Sequence, residues 1–197
     1  MTLKTEEIES THNRRKFDCG EDALNKFLRE IARQKHDKGE VRTYVLVEDE
    51  DDPTEIIGYY SLIPSSIEFP QGHKLKKRYD GDPPVVRLAR LGVDASEQGH
   101  GLGHFLVIEA LRRVVNSSLS VGGIGCVVDA KNAKVKRFYE KLGFVPIDFE
   151  EESSLALWLP ISQCVDAVNL AEHGSARVEL QSPDQPQAPG SMRGRGR

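Results

Sequence analysis

The chain has 197 residues, 38% of them hydrophobic and 29% charged, with a formal net charge of −4. The length favours one domain plus extensions, and the composition is that of a soluble globular protein with an ordinary core. The acidic balance excludes a generic nucleic-acid coating protein, no apolar run nears the ~20 residues of a membrane span, and the N-terminal segment lacks a signal peptide's basic-then-apolar pattern. Three cysteines, Cys19, Cys126 and Cys164, are odd in number and far apart. They argue against a disulfide framework or a zinc site and fit a reducing cytoplasm.

In chain order, Ala23, Leu24, Phe27, Leu28, Ile31 and Ala32 recur at helical spacing, predicting an amphipathic helix over 22–36 with Asp22 as N-cap and Gly39 near its end. Residues 43–47 and 56–63 read as two strands of a hairpin across an acidic turn, and 66–69 as a third antiparallel strand. A polar, basic connection leads to Pro84. Then come a strand at 85–93, a helix at 101–116 and a strand at 123–129, which the intervening helix makes parallel to the strand before it. A helix at 132–142 is closed by Gly143, and strands at 144–148 and 154–159 complete the set. The fold class is α/β of the mixed α+β kind, a mixed central sheet with helices on both faces. The domain is expected to fill 1–165. Residues 166–197, Ser-, Pro-, Gln- and Gly-rich from about His173 and ending Arg193-Gly194-Arg195-Gly196-Arg197, are expected to form a polar, disordered tail.

Between the strand at 85–93 and the helix after it lies Gln98-Gly99-His100-Gly101-Leu102-Gly103. Alternate glycines remove Cβ atoms from one side of a turn, so backbone N–H groups can approach an anion where a helix begins. A Walker loop would need a Lys-Ser/Thr pair, which is absent. A dinucleotide fingerprint would need glycine at 104, where this chain has His104. The spacing that fits is Gln-x-x-Gly-x-Gly, and on these residues the segment resembles the GNAT acyltransferases. In that family such a loop holds the pyrophosphate of acetyl-CoA. The resemblance implies cofactor contacts from Gln98, Gly99, His100, Gly101, Leu102, Gly103 and His104. The plainer alternative is a glycine-rich connection with no ligand. His100 and His104 share the spacing of a metal-binding pair, but Gly101 stands where the HExxH glutamate belongs, so no metal is expected.

A second motif, Asn132 followed by Phe138-Tyr139-Glu140-Lys141-Leu142-Gly143-Phe144, resembles the GNAT helix that lies along CoA. The likeness extends over about 10–160. It implies that strands 85–93 and 123–128 splay apart to admit the pantetheine arm, that Phe138 lies at the cofactor, and that Tyr139 donates a proton to the departing thiolate. Asn132 is placed to cap its helix or to bond the pantetheine amide, and the two roles are compatible. Gly92 is either the bulge that opens the splay or a small residue under a helix. Backbone N–H groups of Leu91, Gly92 and Val93 are placed to hold the pantetheine and polarise the thioester carbonyl.

The acceptor is read from charge. Residues 71–90 carry Lys74, Lys76, Lys77, Arg78, Arg87 and Arg90 against Asp80 and Asp82. A second basic set, Arg29, Arg33, Lys35, Lys38 and Arg42, lies along and just after the first helix, where the plain reading is a solvated face. A lysine ε-amine, of reference pKa ~10.4, needs a base, and strand 85–93 offers arginines and no glutamate. An α-amine, of pKa ~7.7, needs little help, and arginines favour a phosphate-bearing carrier. Arg33, Lys77, Arg78, Arg87 and Arg90 are therefore the candidate substrate-binding residues. Phe17-Asp18-Cys19-Gly20, Arg42-Thr43-Tyr44-Val45-Leu46, Gly58-Tyr59-Tyr60-Ser61-Leu62 and Leu88-Ala89-Arg90-Leu91-Gly92-Val93-Asp94 resemble the TacT-like toxins within the GNAT family. That likeness implies acetylation of the α-amino group of aminoacyl-tRNA, arrest of translation, a ribbon-helix-helix antitoxin as partner, and a homodimer in the cytoplasm. Gly92 stands where alanine is usual there, and Lys35 where asparagine is expected. The competing readings are a GNAT acting on a protein N-terminus, a lysine or a small amine, and a catalytically silent GNAT-fold module that binds a partner.

Overall fold

The computed structural model describes residues 2–50, 53–79, 81–148, 151 and 154–179, with side chains described as far as His173 in the last helix. Among these residues seven strands form one sheet: β1 (Leu3–Glu7), β2 (Arg42–Glu48), β3 (Gly58–Ser66), β4 (Pro84–Val93), β5 (Gly125–Asp129), β6 (Val145–Pro146) and β7 (Ala156–Pro160). Their spatial order is β1-β2-β3-β4-β5-β7-β6, and only the β4–β5 pair is parallel. The helices are α1 (Asp22–Lys26), α2 (Ala32–Asp37), α3 (Leu102–Val121), α4 (Ala133–Glu140) and α5 (Ile161–Glu179).

The helix expected over 22–36 is present, but its middle, Phe27–Ile31, is a π-helical turn linking α1 to α2. One extra residue in that turn lets Phe27, Leu28 and Ala32 all reach the sheet. Asp22 is the first helical residue and not the cap; Glu21 holds the cap position without a side-chain bond. The expected third strand at 66–69 is not separate. β3 runs on to Ser66, and Ile67 and Phe69 turn inward against Val85, Val127 and Trp158.

Two elements escaped the hydrophobic pattern. β1 is a polar edge strand, Leu3-Lys4-Thr5-Glu6-Glu7, held by five pairings to β2. Such residues read as a terminal loop because an edge strand needs backbone partners more than apolar side chains. α5 corrects the domain boundary expected at 165. Cys164 and Val168 are buried against the α3 face of the sheet, and Arg112 of α3 pairs with Glu172. The first part of the expected tail is therefore a packed helix, while 180–197 lie outside the described residues.

The sheet has an apolar layer on each face. On one, Leu106, Val107, Ala110, Leu111 and Val114 of α3 cover Leu46, Tyr60, Leu88, Cys126 and Leu157. Each such side chain contributes about 1.5–3 kcal/mol by leaving water, so α3 is the principal clamp on that face. On the other face Phe17, Phe27, Leu28 and Ala32 cover Val45, Val47 and Tyr59. This second layer leaves the surface around Arg87 to the β4–β5 junction.

Candidate active site

The cleft starts where a sheet ladder stops. β4 pairs with β5 at Val86↔Cys126 and Arg87↔Val127 only, whereas its pairing with β3 continues to Val93↔Gly58. Beyond Arg87, β4 turns away from β5, so the β5-facing backbone groups of 88–93 look into the gap. Groups of that kind require partners from outside the sheet. The irregularity that bends β4 lies at Ala89: Ser61 pairs with Arg90 and Leu62 with Leu88, leaving Ala89 as the extra residue. The bulge is thus not at Gly92. Gly92 is small for packing, since a Cβ there would lie 3.2 Å from Tyr59 and 3.4 Å from Phe17. Leu91 and Val93, flanking it, pack toward the α3 side.

Past β4, the chain is tied down before it reaches the glycine turn. Asp94 accepts hydrogen bonds from the backbone N–H groups of Asp18 (3.0 Å) and Ser96 (3.1 Å), and Ala95 N–H donates to the Asp18 carbonyl at 2.8 Å. The Gln98 side-chain amide donates to the carbonyls of Val93 and Cys19, both at 3.0 Å. Its side chain therefore fastens the turn to the strand end, leaving ligand contact to the backbone. Gly99 and Gly101 take φ of 88° and 81°, the left-handed region that L side chains avoid, and a Cβ on either would meet nothing within 4 Å. Gly101 is the N-cap of α3 and supplies no side-chain cap, so the first N–H groups of α3 keep their positive end open. An anion fits that donor set. Gly103 does a third job: it admits the Phe138 ring, whose edge lies 3.7 Å from where a Cβ would be. His100 and His104 are both exposed, and the His100 Nδ1 lies 3.2 Å from the Glu97 carbonyl.

α4 brings the phenol. Asn132 caps it, its Oδ1 accepting from the N–H groups of Lys134 and Val135 at 3.0 Å each. Tyr139 is 7% exposed and stands edge-on to Phe138 and Phe144. Burial, with a smaller contribution from nearby Cys126, pushes its phenol well above the ordinary tyrosine range. Among the described residues its hydroxyl has no hydrogen-bond partner. The burial makes the phenol a weaker acid than free tyrosine, and its protonated, unbonded hydroxyl is a donor that a thiolate forming beside it can use.

Three basic side chains stand where β4 and β5 part, two of them paired with acids. Arg87 bonds the Ser65 hydroxyl at 3.3 Å and pairs with Asp129 of β5, across the point where the strands part. The Arg90 guanidinium lies 4.4 Å above the Phe27 ring centroid, an apolar seat that leaves its charge unneutralised. Lys131 and Glu21 pair from β5's end to the start of α1. Of the other expected substrate residues, Lys77 and Arg78 belong to a short 3-10 segment, Lys74–Lys77, and its cap. That segment packs through Leu75 and Tyr79 over Val127, on the Arg87 face. Arg33 lies on α2, with Nε 3.3 Å from Asp37 of the same helix. Asp129, Asp18 and Asp94 were missed by sequence reasoning, because an acid ending a strand or opening a turn is the commonest surface pattern.

The chain matches the acetyltransferase (GNAT) family model over residues 5–144, and it belongs to that family. It is 34% identical over 135 residues to a Mycobacterium tuberculosis protein described as a tRNA-acetylating toxin, covering 68% of this chain and 76% of that one. Two solved structures of the AtaT toxin superpose on it. One is a mutant toxin bound to the C-terminus of the antitoxin AtaR and acetyl-CoA, at 33% identity and TM-score 0.70, covering 83% of this chain and 96% of that one. The other is AtaT complexed with acetyl-methionyl-tRNA, at 32% identity and TM-score 0.74, covering 86% of this chain and 99% of that one. The protein is an acetyltransferase with a mixed seven-stranded GNAT sheet. No helix among the described residues is long and apolar enough to cross a membrane.

Proposed function

We propose that the protein transfers an acetyl group from acetyl-CoA to the α-amino group of aminoacyl-tRNA and thereby stops translation, as the toxin of a toxin–antitoxin pair. Acetyl-CoA supplies the acetyl group as a thioester. Backbone N–H groups of Gly99 to His104 bind its diphosphate, and those of Leu91 to Val93 orient the pantetheine and the carbonyl. Tyr139 gives its Oη proton to the sulfur as the C–S bond breaks and the new N–C bond forms; the proton that the amine loses passes to solvent, which returns one to the phenolate oxygen. Arg87, Arg90, Lys77 and Arg78 attract the phosphates of the acceptor. The solved toxin complexes with acetyl-CoA and with acetylated tRNA support this reading.

The observation that carries it is a buried phenol, Tyr139, packed near Cys126 of β5, together with Arg90 of β4, whose guanidinium rests on Phe27 without an ion-pair partner among the described residues. The unpaired charge of Arg90 repels a lysine side chain and attracts an RNA phosphate, so the protein-lysine reading is disfavoured. A silent binding module has no use for a buried phenol whose hydroxyl bonds to none of the described residues, whereas the buried phenols of Tyr59 and Tyr60 are both hydrogen-bonded. In this reading the antitoxin is of the ribbon-helix-helix type and the toxin acts as a homodimer in the cytoplasm, as the TacT likeness implies. The test is incubation with labelled acetyl-CoA and a set of aminoacyl-tRNAs. N-acetyl-aminoacyl-tRNA is expected for at least one of them, and none at any enzyme level refutes the assignment.

A further inference from the structure

A second cationic site lies apart from the acetyl-transfer cleft. Residues 10–15, Arg29 and Thr54 line a cavity of about 510 Å³, within the range of about 300–1,000 Å³ usual for binding clefts. Three of its lining residues are arginines, Arg14, Arg15 and Arg29, and none is an acid. Two of the guanidiniums are held by neutral carbonyls. Arg29 donates from Nη2 to the Phe17 carbonyl at 2.6 Å, and Arg14 from Nη1 to the Arg29 carbonyl at 3.5 Å. Among the described residues none of the three has a carboxylate within ion-pair distance. Asp18, which feels the Arg29 charge, spends one carboxylate oxygen on Gly20 N–H and the Asn25 amide. Positioned guanidiniums that keep their full charge, beside the hydroxyls of Thr11 and Thr54 and the Asn13 amide, make an anion site with bidentate donors.

The location indicates which anion. Arg29 is two residues from Phe27, whose ring carries Arg90 at the acceptor side of the gap. The cavity and the acceptor mouth therefore flank one π-helical turn. We propose that this cavity binds a backbone phosphate of the acceptor tRNA, so that the RNA is held at two points while its aminoacyl end enters the gap. This rests on the aminoacyl-tRNA reading above and names the surface that holds the carrier. The site is neutral to sequence, because a phosphate contact positions the RNA and carries no base information.

The test is the Arg14→Gln/Arg15→Gln double variant and, separately, the exposed Arg15→Glu reversal, made in the full chain. Each is assayed against aminoacyl-tRNA between 50 and 200 mM salt, beside an amino-acid methyl ester as a phosphate-free acceptor. Loss of one phosphate contact should flatten the log(kcat/KM) against log[salt] slope by about 0.7–0.9. It should also raise the KM for aminoacyl-tRNA about tenfold at the low-salt end, with kcat within about twofold. Turnover of the ester should stay within about twofold of wild type. An unaltered salt slope, or a parallel loss on the ester, overturns the proposal. So does a variant that weakens binding only to poly-glutamate, which would mark the cavity as a docking point for an acidic protein segment. A wild-type enzyme that turns over the ester but no aminoacyl-tRNA sinks the acceptor assignment and this site with it. An active wild type with unaltered variants sinks this site alone.

Discussion

Replacing Tyr139 with phenylalanine removes one oxygen from a side chain that is 7% exposed and whose hydroxyl bonds to none of the described residues. The fold loses no internal hydrogen bond, and the ring keeps its edge contacts with Phe138 and Phe144, centroids 5.1 and 5.5 Å away. Stability should therefore move by less than about 1 kcal/mol. Affinity for CoA should hold within about threefold, because the diphosphate donors are backbone N–H groups of the turn and α3, on other elements. Catalysis should suffer. A positioned general acid is worth about 10²–10⁴ in rate, so kcat should fall by that factor with KM for the acceptor little changed. The pH profile adds an independent check. Burial holds the phenol above its ordinary value, so wild-type kcat/KM should rise only with deprotonation of the α-amine, near ~7.7, and show no fall from Tyr139 before about pH 10. Single-turnover acetylation followed with labelled acetyl-CoA, beside calorimetry with CoA, reads each quantity. A Y139F enzyme with near-normal kcat, or one that loses CoA binding along with turnover, would refute the assignment of the phenol as proton donor.

Three further outcomes follow from the same geometry. Gly101→Val places a β-branched residue at φ 81°, which costs about 1–2 kcal/mol or more and displaces the first N–H groups of α3, so CoA affinity should fall at least about tenfold by calorimetry. An unaffected Kd would show that the turn does not hold the diphosphate. Gly125→Ala drives a Cβ into the Leu159 carbonyl of the neighbouring strand and should destabilise by about 1–3 kcal/mol, lowering the melting temperature by several degrees. An unchanged melting temperature would mean that β5 and β7 separate freely. Alkaline denaturation should come early. Burial raises the thiols of Cys126 and Cys164 and the phenols of Tyr59, Tyr60 and Tyr139, with Cys164 and Tyr60 each pushed up to about 12. A group raised on folding favours the native state fully below its unfolded pKa and loses that stabilisation as pH climbs toward the native one. Loss should thus begin near pH ~9 for the thiols and ~10 for the phenols, at up to about 1.4 kcal/mol per group and pH unit. Urea midpoints that stay level from pH 8 to 11 would contradict it.

The sequence alone determined the parts of this protein that are local. Helical spacing from Ala23 to Ala32, the apolar run ending at Val93, the alternate glycines from Gly99, and the Asn132-to-Phe144 string each encode their own conformation within one or two turns of chain. They were enough to locate the glycine turn and the Tyr139 helix, because both are built from consecutive residues. What only the tertiary structure decided are the relations between distant segments. The bulge at Ala89 exists only relative to β3. β1 is a strand only because β2 offers it an edge, and Gln98 turns inward only because the carbonyls of Cys19 and Val93 meet there. The tight space at Gly92 belongs to Tyr59 and Phe17, and the guanidinium of Arg90 finds its seat on Phe27 across a helix. Arg33 and Arg90 are both basic in the sequence, but Arg33 ends beside Asp37 of its own helix while Arg90 rests on Phe27. Charge can be counted along a chain, whereas the direction in which each charge faces is fixed by packing between elements far apart in that chain.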